Sequence, residues 1–165
     1  MPDRAGIERE TAEGWDLFRA GREDEAIAHF RQLVERHPGD PRTHFEFGGS
    51  LDAAGREAEA IDEYRRAIEL GLSGDDVPRV LLQLGSSLRN VGKHDEAVRV
   101  FSEGRERSPG HAPLRFFLAL ALHDAGLYRE ALAEALELAF FEPGSDEMAE
   151  YGRAMRRYVD TLKGD

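Results

Sequence analysis

The chain has 165 residues, with 33 acidic against 22 basic side chains and a formal net charge of −11; that balance disfavours nucleic-acid phosphates and anionic membrane surfaces as partners. Cysteine is absent, which excludes disulfides, a thiolate nucleophile and Cys-ligated zinc. No stretch approaches the roughly 18 apolar residues of a membrane span, and the leading MPDRAGIERE lacks the apolar segment of a signal peptide, so the expectation is a cytoplasmic protein.

Residues 1–6 show no periodic pattern and are expected to be disordered. From Ile7 a helix runs to about Ala20, anchored by Trp15, Leu17 and Phe18. Gly21 stops it, because glycine adopts positive φ without steric conflict. Arg22-Glu23-Asp24-Glu25 opens a second helix, its acids near the positive end of the helix dipole. Ala26, Ile27, Phe30, Leu33 and Val34 form its apolar stripe. Pro38 ends the unit, a helical hairpin over about 7–40.

Asp40-Pro41 is an N-cap followed by the proline that a first helical turn tolerates. It opens a second hairpin, over about 41–74, that turns at Gly55. Its exit carries Leu72 where the others carry proline, and three extra residues follow in a longer loop. Asp76 or Val77 is expected to cap the next helix ahead of Pro78. The third hairpin spans about 78–111 and turns at Gly92. The fourth spans 112–144 and turns at Gly126. Its second helix, YREALAEALELAFF, is apolar enough to need cover on more than one side. Residues 145–163, with Met148, Tyr151, Met155, Tyr158, Val159 and Leu162 at helical spacing, are expected to supply that cover as a capping helix.

The four units share one register. Gly85, Leu88, Gly92, Ala97, Phe101 and Pro109 are matched 37 residues earlier by Gly48, Leu51, Gly55, Ala60 and Tyr64. A further 34 back stand Gly14, Leu17, Gly21, Ala26, Phe30 and Pro38, and 34 ahead of the third unit stand Ala119, Leu122, Gly126, Ala131, Ala135 and Pro143. A period near 34 with a helix–turn–helix pattern is the signature of a stacked array. On these residues the chain resembles the tetratricopeptide repeat family. Departures are Trp15 away from the family's usual tryptophan position, Gly104 for a small Ala, Leu72 for Pro and Ala135 for an aromatic. The resemblance implies an all-α, right-handed α-solenoid of four helix-turn-helix repeats and a binding scaffold with no single partner.

In that family the first helices of the units line a concave face that takes ligands. Carried over by register, the candidate groove residues are Glu8, Thr11, Trp15, Phe18 and Arg19; Arg42, Phe45, Gly49 and Asp52; Arg79, Leu82, Ser86, Arg89 and Asn90; and Phe116, Leu120, His123 and Asp124. Thr11, Phe45, Leu82 and Phe116 are equivalent and should form a row. With Arg19, Arg42, Arg79 and Arg89 beside it, that row suggests a locally basic groove for a protein or peptide with acidic and apolar side chains. Members that clamp acidic chaperone tails use Lys, Asn and Arg at positions that here hold Thr11, Trp15, Glu46, Arg79 and Gln83. Only Arg79 has the required charge, so that clamp is absent.

The residues do not point to an enzyme, a cofactor or a metal. The six histidines lack the i, i+4 pairing of a helical metal site, and the glycines fall at hairpin turns instead of in a phosphate loop. The alternative to a peptide-binding scaffold is a self-association module, in which Tyr151, Met155 and Tyr158 of the last helix pair two copies as a homodimer.

Overall fold

The computed structural model describes residues 4–141 and residue 160. Residues 4–141 form an all-α right-handed solenoid of four antiparallel hairpins: α1 (Arg4–Arg19) with α2 (Glu23–Arg36), α3 (Pro41–Ala53) with α4 (Glu57–Glu69), α5 (Asp76–Asn90) with α6 (His94–Arg107), and α7 (Ala112–Asp124) with α8 (Tyr128–Phe141). The expected capping helix over 145–163 lies outside the described residues, apart from Asp160, as do Met1–Asp3. Two boundaries move. The first helix starts at Arg4, not Ile7; an i, i+4 pair between Arg4 and Glu8 (3.3 Å) accompanies the extra turn. The third hairpin starts at Asp76. Its N-cap residue is Asp75, whose side chain makes no capping bond, and the Asp76 carboxylate binds arginines instead.

Each hairpin turns on a glycine in the left-handed region, at φ +74, +72, +79 and +78 for Gly21, Gly55, Gly92 and Gly126. The following N–H reaches back to a helix carbonyl: Arg22 to Leu17, Arg56 to Leu51, Lys93 to Leu88 and Leu127 to Leu122, all within 3.0 Å. This pairing satisfies carbonyls that the helix end would otherwise leave open. The same device closes α4, where Gly71 has φ +86 and Leu72 N–H donates to Ala67. A proline at position 72 has no N–H to give, which accounts for the departure there. Asp40 caps α3 as its sequence suggests, accepting from the backbone of Arg42 and Thr43.

The core runs through all the hairpins, and in the first three an aromatic ring is seated on a glycine. A Cβ on Gly14, Gly48 or Gly85 would lie 2.6–2.7 Å from the ring of Phe30, Tyr64 or Phe101, respectively. The rings therefore pack within each hairpin, and Phe101 also stacks on Phe117 of the next unit, 6.0 Å between ring centres. All three are fully buried, and burying such a side chain stabilises by roughly 1.5–3 kcal/mol. In the fourth hairpin the two positions hold Ala119 and Ala135, so the glycine and its ring are absent together. No helix among the described residues is long and apolar enough to cross a membrane.

Candidate functional site

The first helices of the hairpins line one face, and between α1, α3 and α5 it sinks into a concavity of about 430 Å³. Trp15 forms one wall. Its indole packs on Phe18 and Phe30 at 5.8 and 5.3 Å between ring centres. Its N–H donates to Glu46 Oε2 over 2.7 Å. The indole can lie there because position 49 is glycine: a Cβ would approach it to 3.3 Å. Phe45 contributes to the floor, only 5% exposed, with its ring centre 6.1 Å from that of Tyr64. The Arg79 guanidinium lies over Phe45, 5.4 Å from its centre, in a cation–π contact. Glu46, Asp52, Glu57, Gln83 and Asn90 complete the lining.

The charges are organised by pairing. Arg42 Nη2 is 3.5 Å from Glu46 Oε1, and its Nη1 is 3.3 Å from Asp76 Oδ2. Arg79 Nη1 donates to Asp76 Oδ1 over 2.9 Å. One chain of contacts thus runs from Trp15 through Glu46, Arg42 and Asp76 to Arg79. Arg89 pairs with Asp124 at 2.5 Å and Arg19 with Asp16. All four inner arginines have carboxylate partners, so the positive charge of the expected basic strip is matched by acids on the same face.

Asp52 differs from the other groove carboxylates. It accepts from hydroxyls, with Ser87 Oγ at 3.0 Å and Tyr64 Oη at 3.4 Å. The Ser87 proton is shared with the Gln83 carbonyl, also at 3.0 Å. Burial pushes the Asp52 carboxyl above the usual aspartate range and the nearby Glu57 charge adds to this, while the two hydroxyls pull the other way. Burial likewise pushes the Tyr64 phenol up, with the Asp52 charge contributing.

The structure brings together Trp15, Phe45, Arg79 and Asn90 of the candidate residues, with Arg42 behind them through Glu46 and Asp76. Gly49 and Asp52 join them. Leu82 is half-buried and packs on the core; Ser86, Arg89 and Leu120 are half-buried further along the inner helices. Arg19 is exposed beyond Trp15. His123 is exposed on α7, its ring 5.2 Å from Tyr128. The row Thr11, Phe45, Leu82, Phe116 is not uniform: Thr11 is 7% exposed and Phe116 51%. Thr11 sits in the first unit's interior, where its Oγ1 has no partner. Register equates positions, but neighbouring side chains set exposure.

Two features escaped the sequence reading. Tyr64 and Glu57, on the second helix of the second hairpin, reach the concave face. In the fourth hairpin Arg115, 6% exposed, binds Glu134 at 2.6 Å and Glu137 at 2.9 Å, and Arg105 also holds Glu134 at 2.9 Å. The signal was Arg115 and Glu134 interrupting two apolar stripes, a pattern that only a buried pair reconciles. Among the described residues no group of three or more histidines and carboxylates is arranged to hold a metal ion.

Comparison with known proteins adds the following. The family model described as Tetratrico peptide repeat matches residues 41–162, and one described as Bacterial transcriptional activator domain matches residues 7–74. Among solved structures the chain is similar to MamA protein, with TM-score 0.70 and 23% identity over 84% of this chain and 78% of that one. It is similar to YrrB, described as a TPR protein with an unusual peptide-binding site, with TM-score 0.69 and 16% identity over 94% and 86%. A third is the first TPR of Spaghetti (RPAP3) bound to the HSP90 peptide SRMEEVD, with TM-score 0.66 and 17% identity over 75% and 96%. No curated protein matches the sequence. At these identities the likeness concerns the fold.

Proposed function

Because the chain belongs to the tetratricopeptide repeat proteins, we propose that it is a non-enzymatic scaffold whose concave face holds a peptide or protein segment. The observation that carries this reading is the concavity between α1, α3 and α5. It has an aromatic wall and floor and a rim of exposed polar side chains at Gln83 and Asn90. Few apolar anchors flanked by polar groups suit an extended or helical segment. Similar folds support this reading, since YrrB and RPAP3 are described with peptide sites. The acidic tail SRMEEVD bound by RPAP3 would meet Glu46, Asp52 and Glu57 here, so the partner chemistry differs.

The test is selection of binding peptides from a displayed library against the full chain, followed by Gln83→Trp. Gln83 is exposed on the concavity, so the indole should fill the groove without disturbing the fold. Loss of binding at unchanged circular dichroism supports the groove; retained binding moves the site elsewhere.

A second reading, self-association, is favoured by the exposed Phe116, Leu127, Tyr128 and Leu132 on the last hairpin. Mass measured by light scattering across a dilution series decides it, a concentration-independent monomer being the outcome against.

A further inference from the structure

The groove's charge and ring arrangement bear on what kind of segment enters it, given that the concave face is the binding face as proposed above. Asp52 and Glu57 line the same concavity, and the charge of one acts on the other. Asp52 is bound by two neutral hydroxyls, and Glu57 makes no ion pair among the described residues. Two partly buried carboxylates facing one space without a cation leave a repulsion that a positive ligand group relieves. Arg19, Arg42, Arg79 and Arg89 are each already held by a carboxylate, and none of them pairs with Asp52 or Glu57 among the described residues.

Beside the carboxylates lie apolar surfaces suited to a cationic side chain. The Phe45 face already carries the guanidinium of Arg79, whose own charge is offset by Asp76 at 2.9 Å. The Trp15 indole stands on the opposite wall, packed over Gly49, and lines the same concavity as Asp52. Rings next to carboxylates match the two parts of a lysine or arginine: an apolar stem and a charged head. A net charge of −11 on the whole chain would draw such a segment in and repel acidic ones.

We propose that the concave groove recognises a peptide segment presenting a lysine or arginine, its charged head between Asp52 and Glu57 and its stem against Trp15. The chemistry is opposite to that of an acidic-tail clamp, because the carboxylates belong to the receptor.

Trp15 is the chain's one tryptophan, so its fluorescence reports on this groove directly. The probes are synthetic peptides with a central Leu-X-Leu on an alanine–serine background, X being lysine, arginine, glutamine or glutamate, titrated into the full chain at low and high salt. The lysine and arginine peptides should shift Trp15 emission and bind about tenfold or more tighter than the glutamine peptide, as expected for a charge-assisted bond. High salt should narrow that gap. Asp52→Asn should abolish most of the preference and Glu57→Gln part of it, with helical circular dichroism unchanged. Equal binding of the glutamine peptide, tighter binding of the glutamate peptide, or a preference that survives Asp52→Asn would overturn the cationic inference and leave the groove reading standing. If no peptide of the series moves Trp15 while displayed peptides bind with Gln83→Trp harmless, the groove reading itself fails, and this inference with it.

Discussion

The indole N–H of Trp15 donates to the carboxylate of Glu46 over 2.7 Å, joining residues 31 positions apart on successive hairpins. The bond ties the first unit to the second at the point where the concave face is deepest, and Glu46 is only 7% exposed. Removing the donor leaves that carboxylate with Arg42 at 3.5 Å as its remaining partner. Trp15→Phe keeps most of the contact with Phe18 and Phe30 but loses the bond. It should destabilise by about 1–3 kcal/mol, measurable as a lower urea midpoint followed by circular dichroism. An unchanged midpoint would mean that the bond contributes nothing across the junction.

The glycine beneath each core ring makes a sharper steric prediction. In Gly85→Ala the new Cβ would lie 2.6 Å from Phe101, and overpacking of this kind destabilises by about 1–3 kcal/mol. Adding Phe101→Leu should recover part of the loss, as Ala119 with Ala135 already illustrates in the fourth hairpin. A double-mutant cycle on thermal unfolding checks this; additive losses would show that the glycine is not there for the ring.

Arg115 and Glu134 form a buried pair, at 6% and 3% exposure. Glu134→Ala removes the carboxylate 2.6 Å from a buried guanidinium and should destabilise by about 3–5 kcal/mol. Replacing both, with Arg115→Met and Glu134→Leu, should cost less than Glu134→Ala alone, because the pair's own desolvation penalty goes with its charges. Denaturant unfolding of the single and double variants distinguishes this from a pair that stabilises outright.

Asp52 predicts a pH dependence. Its carboxyl is held above the ordinary value, so the folded chain binds that proton more tightly than the unfolded one. The resulting stabilisation is complete below the unfolded value and is lost as pH rises through the raised folded value. Near pH 7 the ionised Asp52 is therefore a burden, and Asp52→Asn should raise the melting temperature there. Near pH 3, with the aspartate protonated in both states, the difference should close. A gain that persists at acid pH would place its origin outside this titration.

The repeat architecture was legible in the chain because it depends on local chemistry repeated four times. Gly21, Gly55, Gly92 and Gly126 carry turns that need positive φ. Gly14, Gly48 and Gly85 leave space for a ring sixteen residues on, and Asp40-Pro41 starts a helix by capping. Each of these acts within one hairpin, so sequence spacing alone conveys it. The candidate face came from the resemblance to the repeat family, carried by register onto the first helix of each unit, and Trp15, Phe45, Arg79 and Asn90 do line one concavity.

The groove's charge and its true depth were decided only in three dimensions. Arg42 meets Asp76 across 34 residues, Arg89 meets Asp124 across 35, and Ser87 meets Asp52 across 35. Separations near one repeat bring these groups together only because successive hairpins stack in a particular register. A charged side chain's effect depends on its distance from its counter-ion and on the water it loses, and neither is written in the order of the residues. Arginines that look like a basic strip in sequence are matched by acids in space, and the groove carboxylates Asp52 and Glu57 have no cation partner among the described residues.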